Sequence, residues 1–432
     1  MGNIDLSIKF KDLTFRNPII PGASDIIMDE MGVIKCIEQG VGGIVTKSFT
    51  SGPWRTKAQP YHFNYRIFGK GLENNWISRG GFHPFKSEMA AEKLIPAMAR
   101  LCKNEGIPLI ISIANGANVE EWVMDAKRFE QAGADMLELN FSCPVAGQDE
   151  SFGKALGQNV SLTKEIIMSI KNSVKIPISP KLSISWDPFA PHIRGFVEAG
   201  ADCLTTQNTP IGMLIDVEEE VPFGIFGVGG YQMGRSLLPM SISRVVETRG
   251  LTNLPLIASG GVWTSTDAIM YLLIGCSLVE VVGAIFKNGI KHFGEIIKGI
   301  EEWMKRKGYN SIEDFKGKVY GLARKAVSPE LIHMELPFPM PREKSSSIIP
   351  QVDMEQCLLC GRCENFCLNG VFIVDKTNNI VNVNHENRCW GCGDCIGWCP
   401  ADAIKLINKE TNEVVWDNHG LARPYRPENW KD

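Results

Sequence analysis

A dense group of cysteines lies near the C-terminus of the chain. Eight of the thirteen cysteines fall in two short segments, CLLCGRCENFC from Cys357 and CWGCGDCIGWCP from Cys389. Each segment has the spacing C-x2-C-x2-C-x3-C. In such a run three thiolates can bind one iron–sulfur cubane, while the fourth reaches a neighbouring cubane. The spacing therefore predicts two [4Fe–4S] clusters and electron transfer in single steps.

The same spacing predicts which cysteines share a cluster. We expect one cluster to be bound by Cys357, Cys360, Cys363 and Cys399, and the other by Cys389, Cys392, Cys395 and Cys367. A pair of structural zinc sites is the alternative, but such sites usually use two C-x2-C pairs per metal and would leave one cysteine of each segment without a role. A disulfide framework would require secretion, and no signal peptide is recognised.

A second candidate site follows the predicted strand MLELNFSC, where polar side chains appear in Asn140-Phe141-Ser142-Cys143-Pro144. Cys143 is a candidate general acid or base. A thiol with an ordinary pKa of roughly 8.5 can exchange a proton with a carbon beside a carbonyl near neutral pH. A small buried core cysteine is the alternative interpretation.

Other predicted strands carry polar residues too: Lys47, Asn115, Asn208 and Thr209 end strands, and Lys181 lies within the fifth strand. Buried lysines are rare without a partner, so the two lysines predict anionic or electron-rich atoms nearby. A flavin ring, whose reduced form carries charge at N1, fits that requirement. The turns Ser259-Gly260-Gly261 and Gly283-Ala284 offer backbone N–H groups for a phosphate. Together these residues predict bound FMN.

These residues need a scaffold that brings the ends of strands together. Short apolar runs alternate with helical patterns from about residue 17 to 306, which is typical of parallel β/α units. We predict eight strands: NPIIPGA from Asn17, GGIVTKSF from Gly42, PLIISIAN from Pro108, MLELNFSC from Met136, IPISPKLSI from Ile176, CLTTQNT from Cys203, PLIASGGV from Pro255 and LVEVVGAIF from Leu278. This count indicates a TIM (β/α)8 barrel. A doubly wound open sheet is the alternative, but no G-x-G-x-x-G turn follows an early strand.

The helices before several strands are expected to end at glycines in the left-handed conformation, at Gly40, Gly133, Gly200 and Gly275. Two stretches interrupt the rhythm, at residues 50–86 and 210–237. We predict an FMN-binding barrel over residues 1–307, a linker over 308–350, a small α+β bacterial-type ferredoxin domain over 351–410 and a polar tail over 411–432.

Composition excludes some functions. Lys and Arg number 45 against 49 Asp and Glu, a net charge of −4, and no basic tract that would follow a nucleic-acid backbone is recognised. No window runs 18 apolar residues without interruption, so no membrane span is predicted. We expect a soluble cytoplasmic protein.

The motif Asn-Phe-Ser-Cys-Pro at 140–144 resembles the active-site motif of the dihydroorotate dehydrogenase superfamily. The barrel joined to a C-terminal two-cluster ferredoxin module resembles the pyrimidine-reducing half of dihydropyrimidine dehydrogenase. The resemblance covers nearly the whole chain, from NPIIPGAS to the cysteine module. It implies an FMN-bearing barrel, a cysteine acid/base and clusters that exchange electrons with the flavin. It also implies dimers in which the clusters of one chain can approach the flavin of another.

Carried over by position, the resemblance implies Cys143 as the acid/base and Asn140, Asn208 and Thr209 as substrate contacts. It implies FMN contacts from Ala23, Ser24, Lys47, Asn115, Lys181, Gly260, Gly261, Gly283 and Ala284, to which we add Ser259 and Gly230. A third asparagine of the family has Asn74 or Asn75 as its counterpart, and Asn75 is our prediction.

Departures from the family concern the substrate. Val145 follows Pro144, where many dihydroorotate dehydrogenases have an asparagine that helps hold the carboxylate of orotate. The segment 145–158 lacks the histidine of dihydropyrimidine dehydrogenase. Orotate is therefore disfavoured as the substrate.

We predict an oxidoreductase that interconverts a pyrimidine-like cyclic amide and its dihydro form. Hydride would pass between flavin N5 and the β-carbon, while Cys143 exchanges the proton at the α-carbon. A separate NAD(P)H-oxidising flavoprotein subunit or a ferredoxin would exchange electrons with the clusters, and we expect a homo- or hetero-oligomer. The alternatives are a dihydroorotate dehydrogenase, a reductase of another carbonyl-activated alkene, a tRNA-dihydrouridine synthase and a non-catalytic electron-relay subunit.

Overall fold

The computed structural model describes residues 4–52, 62–66, 75–143, 152–212, 215–222, 230–327, 348–384 and 386–417. The chain divides into two compact units, Met1–Ser328 and Pro329–Asp432. Each unit is described by itself below.

The first unit begins with β1 (Ile8–Phe10), β2 (Leu13–Phe15), β3 (Ile19–Pro21), α1 (Glu30–Glu38), β4 (Ile44–Val45), β5 (His62–Arg66), β6 (Asn75–Gly80), α2 (Ser87–Lys93), α3 (Ile95–Asn104), β7 (Leu109–Ile113), α4 (Val119–Ala132), β8 (Met136–Asn140), α5 (Gly153–Gln158) and α6 (Val160–Lys171). It continues with β9 (Ile178–Ser183), α7 (Ala190–Glu198), β10 (Leu204–Asn208), β11 (Ile211–Gly212), β12 (Ile215–Asp216), β13 (Val221–Pro222), β14 (Gly230–Gly234), α8 (Leu238–Leu251), β15 (Leu256–Ala258), α9 (Ser265–Ile274), β16 (Leu278–Val281), α10 (Gly283–Asn288), α11 (His292–Lys307) and α12 (Tyr320–Val327).

Eight parallel strands form the centre of the first unit, in the order β3-β16-β15-β10-β9-β8-β7-β4. From β16 to β4 each strand lies beside the barrel strand that precedes it in the chain, and the β3–β16 pair joins the first barrel strand to the last, as a barrel requires. The two end strands meet where Gly42 N donates a hydrogen bond to Ile19 O at 2.7 Å. All eight predicted strands are present, and the predicted TIM barrel is confirmed.

The barrel strands are buried on both faces, because the helices cover the outside and side chains fill the inside. Every residue of β7, β8 and β9 is buried. Polar residues at such positions must find partners inside the protein, since burial without a hydrogen bond is costly. The few charged strand residues, Glu138, Lys181 and Glu280, are therefore candidates for a site.

Helix ends follow the expected chemistry. Thr264 and Asp267 form a capping box at the start of α9. The glycines predicted to end helices all have positive φ angles, at Gly40, Gly133, Gly200 and Gly275. A left-handed residue at these positions turns the chain into the next strand, and glycine adopts that conformation without steric cost.

The two interruptions of the barrel rhythm form one antiparallel sheet. Its strand order is β11-β14-β6-β5, with β6 opposite β14. The sequence pattern does not predict this sheet. Segment 308–327, predicted as part of a linker, belongs to the first unit, because α12 packs against α8 and α9.

The second unit contains β17 (Ile348–Val352), α13 (Arg362–Phe366), β18 (Phe372–Asp375), β19 (Ile380–Val383), α14 (Asp394–Gly397), β20 (Ile404–Asn408) and β21 (Val414–Trp416). The order β17-β20-β21 forms a three-stranded sheet, and β18 pairs with β19. Gly393 precedes α14 with a positive φ angle, and a Cβ at this residue would overlap the Trp416 ring. The small core packs around Val371, Phe372 and Ile396.

No helix in the described ranges is long and apolar enough to cross a membrane.

Candidate active site and cluster sites

A cavity open to solvent lies where the barrel strands end, the place where TIM barrels usually hold substrates and cofactors. The predicted site residues in its wall come from seven of the strands or the turns after them: Ala23, Ser24, Lys47, Asn140, Cys143, Lys181, Asn208, Thr209, Ser259, Gly260, Gly261 and Gly283. The topology thus brings most of the predicted site together.

Four predicted residues are not in the described cavity wall. The Asn115 amide donates to Asp125 at 2.9 Å, and its oxygen accepts from Thr50 and Ser51. Asn75 is buried and its oxygen accepts from Ser236 N at 3.0 Å. Ala284 is fully buried beside the lining residue Gly283, and Gly230 pairs with Gly212 in the antiparallel sheet.

Both strand lysines are paired with acids. Lys47 Nζ lies 2.7 Å from Asp25 Oδ1, at the cavity wall. Lys181 lies between two carboxylates, with its Nζ 2.9 Å from Glu280 and 3.2 Å from Glu138. Burial acts to lower the pKa of Lys181, but Glu138 and Glu280 outweigh it and raise that pKa. Lys181 is therefore a cation.

A continuous hydrogen-bond chain runs from the mouth of the cavity to Lys181. Asn208 Nδ2 donates to Asn140 Oδ1 at 3.0 Å, and Asn140 Nδ2 donates to Ser48 Oγ at 3.1 Å. The hydroxyl groups of Ser48 and Ser112 are hydrogen-bonded to each other, with 2.8 Å between the two Oγ atoms. Ser112 Oγ then donates to Glu138 at 2.9 Å. Because each group orients the next, the two asparagine amides are held in fixed positions.

Cys143 follows β8 at the edge of the same cavity. It is 9% exposed and packs with Ala114, Phe152 and Phe82. Its backbone oxygen accepts a hydrogen bond from Lys154 N at 2.9 Å. The cysteine is therefore buried among apolar side chains, as a core cysteine would be, but it also contributes to the cavity wall beside Asn140.

A glycine turn closes the cavity after β15. Gly260 and Gly261 have φ angles of +105° and +71°. A Cβ at Gly260 would overlap the Gln207 amide, and one at Gly261 would overlap the backbone of Leu238. Both positions therefore require glycine, and because the turn lies in the cavity wall, its backbone N–H groups can bind a phosphate there.

The residues present fit FMN on their own chemistry. The lysines supply positive charge, and the glycine turn supplies N–H donors. Gln207 Oε1 is a buried acceptor in the cavity wall with no hydrogen-bond partner among the described residues. A ring with N–H and C=O groups would satisfy such an atom. Lys47, Lys181 and the turn at Gly260 would hold the cofactor.

Several cavity residues were missed by sequence reasoning, namely Asp25, Ser48, Phe82, Gln207 and Glu280. Glu280 carried the clearest signal, as a charged residue within the apolar run LVEVV. Gln207 adjoins the predicted Asn208, and Asp25 adjoins the predicted Ser24. Phe82 follows the antiparallel sheet and had no signal of its own.

In the second unit, Cys357, Cys360, Cys363 and Cys399 line one cavity. Four thiols around one space suit the four iron atoms of a cubane. This grouping matches the first predicted ligand set.

The second predicted set is also grouped in space. Burial first, and then the nearby Cys392 and Cys367, raise the pKa of Cys389. Burial first, and then the neighbouring cysteines Cys389, Cys392, Cys367 and Cys363, raise the pKa of Cys395 to about 12. Thiolates so close to one another need the positive charge of bound iron. None of the cysteines forms a disulfide.

Comparison with known families agrees with both units. The family model described as dihydroorotate dehydrogenase matches residues 5–304, and the model described as 4Fe-4S dicluster domain matches residues 356–404. The chain belongs to the dihydroorotate dehydrogenase family and carries a dicluster domain. It is an oxidoreductase whose cofactors are FMN and two [4Fe–4S] clusters.

Three curated relatives illustrate the similarity. The putative dihydroorotate dehydrogenase A (fumarate) of Aeropyrum pernix is 31% identical over 72% of this chain and 97% of its own length. The catalytic subunit of dihydroorotate dehydrogenase B (NAD(+)) of Pyrococcus horikoshii is 29% identical over 72% and 97%. The NAD-dependent dihydropyrimidine dehydrogenase subunit PreA of Escherichia coli is 25% identical over 85% and 86%.

Proposed function

We propose that this protein interconverts a pyrimidine-like cyclic amide and its dihydro form, at a C=C bond beside a carbonyl. The observation that carries the proposal is the convergence of Cys143, Asn140 and Asn208 in one cavity with two lysines and the glycine turn. Similarity to the PreA subunit over both units supports the same substrate class.

The asparagines would bind the substrate by donating hydrogen bonds. Each amide has two N–H donors, and one donor of each is engaged, by Ser48 for Asn140 and by Asn140 for Asn208. Among the contacts of the described residues, one donor of each remains. Asn208 Oδ1 already accepts from Thr209 N at 2.9 Å, which fixes the orientation of that amide. Two oriented N–H donors suit the carbonyl groups of a cyclic amide.

Cys143 would exchange the proton at the carbon next to the substrate carbonyl. Its position in the cavity wall beside Asn140 allows the asparagine to hold that carbonyl while the thiol reaches the adjacent carbon. When bound, FMN supplies two-electron hydride chemistry and its exchange for single electrons. The apolar contacts of Cys143 with Phe82 and Phe152 would exclude water from the proton transfer.

A separate protein would exchange electrons with the clusters, either an NAD(P)H-oxidising flavoprotein subunit or a ferredoxin. The printed name of PreA, a subunit of an NAD-dependent enzyme, supports this arrangement. A reducing compartment such as the cytoplasm suits thirteen cysteines without a disulfide. If NADH alone reduced the purified chain at a catalytic rate, no such partner would be needed.

The substrate class can be tested by anaerobic absorption spectroscopy. Dithionite-reduced holoprotein would be mixed with uracil, thymine, orotate and a cyclic enamide without a carboxylate. Reoxidation of the flavin by uracil or thymine supports the proposal. Failure of every pyrimidine to reoxidise the flavin, with another alkene succeeding, would disprove it.

Oxidation of dihydroorotate is the second candidate, favoured by the family match over the barrel and by the archaeal relatives. Val145 argues against it, because that position lacks the side-chain amide expected for carboxylate binding. Residues 144–151 lie outside the described residues. Orotate in the same panel distinguishes the two candidates.

A further inference from the structure

Glu280 is a buried carboxyl group in the cavity wall that the proposed reaction does not use. It lies within β16, is 2% exposed, and its Oε2 is 2.9 Å from Lys181 Nζ. No donor among the described residues reaches its other oxygen, Oε1. The Glu138 carboxyl is close enough to hydrogen-bond with Glu280, and such a contact between two carboxyl groups requires a proton on one of them.

The net charge around Lys181 depends on whether both neighbouring carboxyl groups, Glu138 and Glu280, are ionised. Glu138 also contacts Lys181, at 3.2 Å, and is itself fixed by the Ser112 hydroxyl. One lysine neutralises one carboxylate. A second carboxylate would leave a net negative charge in the place where an FMN-binding cavity needs positive charge.

The groups around Glu280 determine whether this excess negative charge arises. Lys181 faces it from β9 and Glu138 from β8, while its register neighbour on β3 is Ile20. The cavity also holds Asp25 and Lys47, which form their own ion pair. Burial raises the pKa of Glu280 to about 8, with Lys181 opposing the shift and Glu138 adding to it. The shift favours the protonated form of Glu280 over the ionised form.

We propose that Glu280 is a positioning residue that sets the net charge at Lys181 and thereby the reduction potential of bound FMN. Protonated Glu280 leaves one carboxylate and one ammonium at the site. Ionised Glu280 adds a negative charge that opposes the negative charge of reduced flavin. The proposal concerns the cofactor alone and does not depend on which substrate the enzyme uses.

The sign of the pH effect follows from linkage. Flavin reduction adds negative charge near Lys181, so the pKa of Glu280 is higher in the reduced protein than in the oxidised protein. Where Glu280 is protonated in both redox states, reduction leaves its charge unchanged. In the pH range between its two pKa values, which begins at about 8, reduction is accompanied by proton uptake at the Glu280 carboxylate. The flavin potential should therefore fall more steeply with pH in that range than below it.

The test is a spectroelectrochemical titration of the full holoprotein, without substrate, from about pH 6 to pH 10. Glu280→Gln keeps the shape of the side chain and removes its titration. Its flavin potential should match wild type at the acidic end, exceed it above pH 8, and lack the steeper segment. Glu280→Asp retains a carboxyl group and should retain a steeper segment.

Two results would overturn the proposal. One is a wild-type potential whose slope does not change near pH 8. The other is a Glu280→Gln curve that runs parallel to wild type at every pH, as expected for a purely structural residue. FMN content per chain is measured for each variant, and the wild-type and Glu280→Asp curves decide the question if Glu280→Gln fails to retain FMN. Because no substrate is present, failure here is distinguishable from failure of the proposed function.

Discussion

Substitution of Gly260 by alanine should weaken FMN binding. The new Cβ would overlap the Gln207 amide, which lines the cavity and is held by a hydrogen bond to Ser241. Overpacking of a well-packed site costs about 1–3 kcal/mol. Because Gln207 lines the cavity, its displacement by the new Cβ disturbs the wall that FMN would contact. A cost of this size to the FMN complex raises the dissociation constant of FMN about 5- to 150-fold, since 1.4 kcal/mol corresponds to a factor of ten.

Gly289→Ala is the matched control for the backbone strain. Gly289 also has a positive φ angle, +85°, but a Cβ there would meet no atom within 4 Å. Both variants therefore strain a left-handed residue, and only Gly260→Ala disturbs the cavity. The assay is titration of the flavin-free protein with FMN, followed by quenching of FMN fluorescence. Equal FMN affinities for the two variants would refute the assignment of the Gly260 turn to the cofactor.

Three further substitutions test separate parts of the site. Cys143→Ala should lower turnover by roughly 10²- to 10⁴-fold while FMN stays bound. The control is Cys203→Ala, at a buried cysteine away from the cavity wall, which should leave turnover within a few-fold of wild type. Asn208→Ala should raise KM for the cyclic amide about 10-fold, as loss of one hydrogen bond of about 1.5 kcal/mol predicts; an unchanged KM would remove its binding role. Cys399→Ser should reduce iron from about eight to about four atoms per chain, with the electron paramagnetic resonance signal of one cluster lost; loss of neither cluster would contradict the ligand sets.

The barrel could be predicted because its strands are buried on both sides. Runs such as PLIISIAN and LVEVVGAIF are almost continuously apolar, and each is preceded by a helical pattern. The left-handed glycines mark the approach to several strands. The local sequence was therefore sufficient to predict the number of barrel strands and their parallel arrangement.

The antiparallel sheet could not be predicted in the same way. Its central pair joins β6, over Asn75–Gly80, to β14, over Gly230–Gly234. These segments lie far apart in sequence, and the first, NWISRG, lacks the alternation of apolar and polar residues that indicates a half-buried strand. Their pairing depends on the barrel bringing two insertions to one end.

Some residues of the site could likewise be predicted from their local sequence, whereas contacts between strands and helices could not. Cys143, Asn140 and Lys181 stood out because each is polar within or directly after a predicted strand. The contact of Glu280 with Lys181 depends on the positions of two barrel strands, β9 and β16, that sequence does not specify. Asn115 was predicted at the mouth of the barrel, but its amide is engaged by Asp125 of α4, a contact that requires the packing of that helix on the barrel.

The central claim is that a flavin bound in the cavity beside Cys143 reduces a cyclic amide, and that the two iron–sulfur clusters supply it with further electrons. Fully reduced protein holds about four electrons, two on the flavin and one on each cluster. The direct measurement is the amount of dihydrouracil formed per chain when excess uracil is added to reduced holoprotein after removal of dithionite, without oxygen. We predict about two equivalents, with flavin and clusters reoxidised together. Formation of no dihydrouracil, or of one equivalent with both clusters still reduced, would contradict the claim.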